Sequence, residues 1–129
     1  MRFLLDSHCW LWLVSEPENI LPATLDQLSR ADAELFFSAA SGWEIAIKFA
    51  SGKLQLAEPP ESFIPSRLRR DRIVELPVEL PHVLRAAALP PHHKDPFDRL
   101  LVAQAQLLGL RLVTRDGWVP SYEVDWLQA

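Results

Sequence analysis

Four acids stand far apart in the chain: Asp6, Glu44, Asp98 and Asp116. Each lies next to a short apolar run or a helix-start signal. Carboxylates gathered at one place repel one another, and burial pushes their pKa values up. A divalent cation relieves both costs. Mg²⁺ and Mn²⁺ favour oxygen donors. Such ions activate water and stabilise the attacking and leaving oxygens of an in-line phosphoryl displacement. Convergence of the four acids would therefore suit hydrolysis of a phosphodiester without a covalent nucleophile. Spacing alone leaves other readings open. Asp98 also fits the first turn of a helix, where the dipole favours an acid by ~0.3–1 kcal/mol. Asp116 precedes Gly117 and fits a turn, and Asp95 before Pro96 reads as a helix cap.

The elements needed to bring the acids together are legible. Residues 2–5 form a short apolar run that ends at Asp6, as in a buried parallel strand. Ser7 is expected to cap a helix reaching Val14. Pro22 opens a second helix to about Ala31, and residues 35–37 form a second strand. A helical pattern runs from Ala39 to Ala50, with Gly42 as its weak point. Further helices are expected at 61–71 and 80–88, with a strand at 73–76 between them. Asp95-Pro96 starts a helix that stops at Gly109. Strands follow at 111–113 and 124–127. Alternating strands and helices imply an α/β fold with a mostly parallel sheet. In such sheets the site lies beyond the carboxyl ends of the strands, where Asp6 and Asp116 fall.

The chain has 129 residues, 49% of them hydrophobic, and a net charge of −4. It is expected to form a single domain, 1–129, with its own core. Its acidity excludes nucleic-acid binding driven by bulk charge; a local site must supply it. The single cysteine, Cys9, forms no internal disulfide and reads as a core residue in a reducing, cytoplasmic protein. No run is long enough for a membrane span.

Other polar residues have two readings each. Lys48 lies one turn after Glu44 and suits either a substrate phosphate or an ion pair of ~0.3–0.5 kcal/mol. Arg99 and Arg115 adjoin acids and are expected to contact phosphates. His92 and His93 are adjacent in a loop and should point apart, which argues against their sharing a metal. His8 reads as a helix-surface or pocket-edge residue. The run 66–72 is strongly basic and reads as a solvated helix end or an RNA contact. Trp10 and Trp12 cannot share a helix face, so one is expected at a binding surface.

The chain resembles the PIN-domain proteins, and in particular VapC-like toxin nucleases. Four segments carry the resemblance: Phe3-Leu4-Leu5-Asp6-Ser7-His8, residues 38–48 around Trp43-Glu44, residues 89–105 around Lys94-Asp95-Pro96-Phe97-Asp98-Arg99, and Leu112-Val113-Thr114-Arg115-Asp116. Their order and separation cover nearly the whole chain, and the segment 89–105 is the most specific. The resemblance implies a three-layer α/β/α sandwich and a Mg²⁺- or Mn²⁺-dependent endoribonuclease acting on RNA. The family's acids map onto Asp6, Glu44, Asp98 and Asp116. Ser7 stands where the family often has Thr, which keeps the hydroxyl. A homodimer and a cognate antitoxin protein over the active site are further implications. Two rivals are a catalytically silent PIN-like binding module and a metal-dependent phosphatase. The phosphatase pattern calls for a second acid two residues after the first, where this chain has His8.

Overall fold

Short apolar runs that alternate between two faces must be covered on both sides, and the structure shows how. A computed structural model describes residues 1–129. The strands are β1 (Arg2–Leu5), β2 (Glu34–Ser38), β3 (Val74–Leu76), β4 (Arg111–Thr114) and β5 (Trp126–Gln128). All pair in parallel, in the order β3-β2-β1-β4-β5. The helices are α1 (Ser7–Ser15), α2 (Pro22–Leu28), α3 (Ala39–Ala50), α4 (Pro60–Arg70), α5 (Leu80–Ala88) and α6 (Pro96–Leu108). Short 3₁₀ turns occupy Pro17–Asn19 and Val119–Ser121.

The strand residues sort by parity into two cores. Phe3, Leu5, Phe37 and Val113 pack with Cys9 and Trp10 of α1, Ile45 of α3 and Phe63 of α4. Leu4, Phe36 and Leu112 pack with Leu101, Val102 and Ala105 of α6. A period of two along each strand, with helices on both faces, produces the three-layer α/β/α sandwich. Each fully buried Phe or Leu contributes ~1.5–3 kcal/mol of apolar burial. No helix is long and apolar enough to cross a membrane.

Element boundaries differ from expectation by a few residues. The largest difference is α2, which ends at Leu28 rather than near Ala31. Gly42 does not interrupt α3: a Cβ there would meet only the Phe37 ring, at 3.6 Å. α6 ends as expected at Gly109, whose φ of 66° is the left-handed conformation that closes a helix. The cap of α1 is a correction. Asp6, not Ser7, is the N-cap, and its Oδ1 accepts the Cys9 amide at 2.7 Å. Ser7 is already inside the first turn, which frees its hydroxyl for a longer-range bond.

The order of strands decides where a site can form. The chain leaves β1 on one side towards β2 and later adds β4 on the other side of β1. The connections therefore diverge at the carboxyl ends of β1 and β4, opening a crevice between them. Asp6 follows β1 there, and Asp116 follows β4 two residues on.

Candidate active site

The crevice is a cavity of about 400 Å³ lined by Asp6, Ser7, His8, Glu44, Lys48, His93, Asp95, Asp98, Arg115, Asp116 and Trp118. The four acids singled out in the sequence all line it, as do Ser7, Lys48 and Arg115. Five carboxylates thus face two permanent cations, Lys48 and Arg115.

Each acid is placed by a local rule. Asp6 is 6% exposed, and the cap bond to Cys9 fixes its rotamer. Burial raises its pKa, with the Asp116 charge adding to the effect and the Thr114 hydroxyl and Cys9 amide opposing it. Asp116 is held from the backbone, its amide donating to the Thr114 hydroxyl at 3.2 Å. Glu44 reaches the crevice from the second turn of α3, whose cap is Ser38 at the end of β2. One oxygen of Glu44 accepts from Ser7 Oγ, and the other accepts from Lys48 Nζ at 3.0 Å. Both oxygens are engaged, so the Glu44 carboxylate is held in one orientation. Lys48 makes the ion pair that helical spacing suggested and also lines the cavity.

Asp98 lies in the first turn of α6, behind the Asp95 cap that receives the amides of Phe97 and Asp98. Burial lifts its pKa to about 7; the His93 hydrogen bond opposes this, and the charges of Asp95 and Glu44 reinforce it. The acids therefore fall into two electrostatic groups, Asp6 with Asp116 and Asp98 with Glu44 and Asp95.

Two expectations need correction. Arg99 does not line the crevice. Its guanidinium donates to the carbonyls of Ala86 and Leu89, both at 2.9 Å, Pro90 at 3.0 Å and His93 at 3.1 Å. Those bonds staple the 89–93 loop to α6 and leave little of the fork for a phosphate. The expectation of an exposed Trp on α1 also shifts. Trp10 is fully buried, and Trp12 lies beneath the Arg115 guanidinium, 4.9 Å from the ring centroid. The most exposed tryptophan is Trp43 at 66%, edge-on to Phe97.

The basic run at 66–72 is partly spent as well. Arg67 pairs with Glu58 and covers the Phe63 ring, while Arg70 pairs with Asp71. Cys9 is buried, and desolvation pushes its thiol pKa up, as befits an inert core residue. His92 packs on Tyr122 and lines a different cavity, while His93 lines the crevice and stacks on Trp118 with centroids 4.4 Å apart.

Sequence reasoning did not assign His93, Asp95 or Trp118 to the site. His93 and Asp98 straddle a loop and a helix start, so no helical or strand period links them. The available signal was the pair of adjacent histidines beside Asp95; the loop sequence carries no period that tells which of them faces the crevice.

The fold is an α/β/α sandwich on a parallel sheet, with an acid-lined crevice at its switch point. The chain belongs to the PIN domain family, whose model matches residues 3–119. It is 36% identical over 120 residues to Ribonuclease VapC22 of Mycobacterium tuberculosis, covering 92% of this chain and 90% of that protein. In fold it is similar to VapBC2 from Rickettsia felis, solved bound to a promoter DNA fragment, with a TM-score of 0.74 and 13% identity over 99% of this chain and 98% of that one. DNA-bound VapBC from Salmonella typhimurium gives a TM-score of 0.70 and 14% identity over the same shares of the two chains.

Proposed function

We propose that the protein is a divalent-metal-dependent endoribonuclease and the toxin of a toxin–antitoxin pair. The observation that carries this reading is the convergence of Asp6, Glu44, Asp98 and Asp116 on one crevice at the switch point of the sheet. The relationship to a named ribonuclease over most of the chain supports the choice of RNA as substrate.

The donor set fits a dication. Five carboxylates line the crevice against two permanent cations, and burial raises the pKa of both Asp6 and Asp98. An added 2+ charge offsets that excess, and the oxygen donors suit Mg²⁺ or Mn²⁺. We assign Asp6, Asp98 and Asp116 as the residues that would hold it, with Glu44 as a further ligand or as the group orienting the attacking water. When bound, the cation supplies Lewis-acid stabilisation of phosphoryl charge and activation of water.

The remaining steps belong to the side chains. Ser7 and Lys48 lock the Glu44 carboxylate, so its orientation needs no reorganisation when substrate arrives. Arg115, exposed on the loop after β4, offers a phosphate contact at the rim.

The partners follow from the same reading. Exposed apolar residues occur on α5 (Leu80, Val83 and Leu84) and on α3 (Trp43 and Ile47). Such patches suit protein contacts, here a homodimer and an antitoxin. The test is cleavage of a cellular RNA pool by purified, antitoxin-free protein in Mg²⁺, Mn²⁺ or EDTA, beside Asp6→Asn. Cutting that disappears in EDTA and in the variant is expected. Cutting that survives both would refute the metal-dependent reading, and folded wild-type protein that never cuts would favour a silent binding module.

A further inference from the structure

The loop before α6 places a nitrogen donor among the acids. His93 Nε2 lies 2.8 Å from Asp98 Oδ2. The donor atoms of His93, Asp95 and Asp98 all lie within 4.8 Å of one another. Three contacts aim the His93 ring. It stacks on Trp118 with the planes 6° apart, its backbone amide donates to the Tyr122 hydroxyl at 3.0 Å, and Nε2 meets Asp98. Trp118 and Tyr122 come from the segment after β4, and Asp95 and Asp98 from the start of α6. The imidazole is thus gripped between two elements of the crevice.

We propose that His93 is a metal ligand, which with Asp95 and Asp98 makes a mixed nitrogen–oxygen site selecting a first-row transition dication over Mg²⁺. This rests on the reading that the crevice binds a dication, and it goes further by assigning the ligand that discriminates between ions. Neighbouring donors on one ion, each ~2.1 Å from it and at right angles, are ~3 Å apart. The His93–Asp98 separation already matches that edge. Asp95 has one oxygen occupied by its capping bonds to the Phe97 and Asp98 amides, and its other oxygen makes no hydrogen bond. Nδ1 of His93 has no protein partner, so it can carry the ring proton while Nε2 binds. An imidazole nitrogen suits Mn²⁺, Co²⁺ and Zn²⁺, whereas Mg²⁺ is held by oxygen. Asp6 and Asp116 line the same crevice outside this cluster, and His8 beside them is the one other imidazole there.

The test is Mn²⁺ titration of the full chain by electron paramagnetic resonance, with electron-spin-echo modulation to detect a coordinated imidazole nitrogen. Wild-type protein is expected to show nitrogen modulation, and His93→Gln to lose it. The same variant should weaken Mn²⁺ binding ~10–100-fold and leave Mg²⁺ binding nearly unchanged. Bound Mn²⁺ without nitrogen modulation would overturn the proposal and leave the oxygen-only nuclease site standing. Modulation that survives His93→Gln and vanishes in His8→Asn would overturn it in favour of His8. No Mn²⁺ binding at all would overturn both this proposal and the metal-dependent function. If His93→Gln does not fold, the His8→Asn and His92→Asn variants decide. Modulation kept in both assigns His93, because His82 is buried against Gln104; loss in either refutes the assignment.

Discussion

Replacing Asp98 with Asn should make the metal-free protein more stable while destroying its metal binding. Asp98 titrates at about 7 instead of the 3.8 of a free carboxyl, chiefly because burial disfavours its charge. Between those two values the native state holds a proton that the unfolded chain has released. Stability of the metal-free protein therefore falls as pH rises from about 4 to 7. Each pH unit of difference corresponds to ~1.36 kcal/mol, which sets an upper bound of ~4 kcal/mol above pH 7. The side chain is 18% exposed and contacts His93, so water and that partner reduce the penalty to ~1–2 kcal/mol. Asn keeps the shape and an oxygen for His93 but carries no charge. In EDTA at pH 8 the variant should melt ~4–8 °C above wild type. At about pH 3.5 the carboxyl is protonated in the native state and mostly protonated in the unfolded chain, so the gap should nearly close. Adding metal should invert the order, since wild type gains ~2.7 kcal/mol at 100 times its Kd while the variant gains little. Differential scanning calorimetry at both pH values, with EDTA and with Mn²⁺, measures all of this. A variant no more stable than wild type at pH 8 in EDTA would refute the reasoning, as would a gap unchanged at about pH 3.5.

Three further outcomes can be checked. Asp6→Asn keeps an N-cap acceptor for the Cys9 amide and, like Asp98→Asn, removes a buried charge, so metal-free it should melt no lower than wild type yet lose at least ~100-fold in RNA cleavage; Asp6→Ala should lose activity and be ~1 kcal/mol less stable than Asp6→Asn in urea titration. Arg99→Met should cost ~2–4 kcal/mol by leaving the carbonyls of Ala86, Leu89, Pro90 and His93 short of donors, whereas Arg115→Ala should alter stability by less than ~1 kcal/mol and lower the salt dependence of RNA binding by about one ion. Gly42→Ala should stabilise by ~0.5–1 kcal/mol in the same titration, because α3 is regular there and the new methyl meets only Phe37 at ordinary contact distance.

Much of this protein is legible in local pattern. Phe3-Leu4-Leu5 before Asp6 and Leu112-Val113 before Asp116 show strands ending at acids, because a two-sided strand must be apolar throughout. Asp95-Pro96 marks the start of α6, because the cap and the proline ring are favoured only there. The helix that carries Glu44 could be read from local pattern and the family from the resemblance of four segments, whereas spacing alone left the role of the four acids open. Rules of this kind act over a few residues, and the sequence expresses them directly.

The remaining features depend on elements meeting in space. Asp6 rather than Ser7 caps α1 because Ser7 finds Glu44 on another helix. Arg99 sits next to an acid of the site in sequence, yet its fork closes on carbonyls from α5 and the following loop. Arg115 gains a place over Trp12, far away in the chain, and His93 gains Trp118 and Asp98. A long side chain is free to choose among distant partners, and burial and hydrogen-bond satisfaction make that choice only once the sheet order β3-β2-β1-β4-β5 has brought those partners together. The sequence determined which chemistry was available; the tertiary structure decided which cations and which histidines line the crevice.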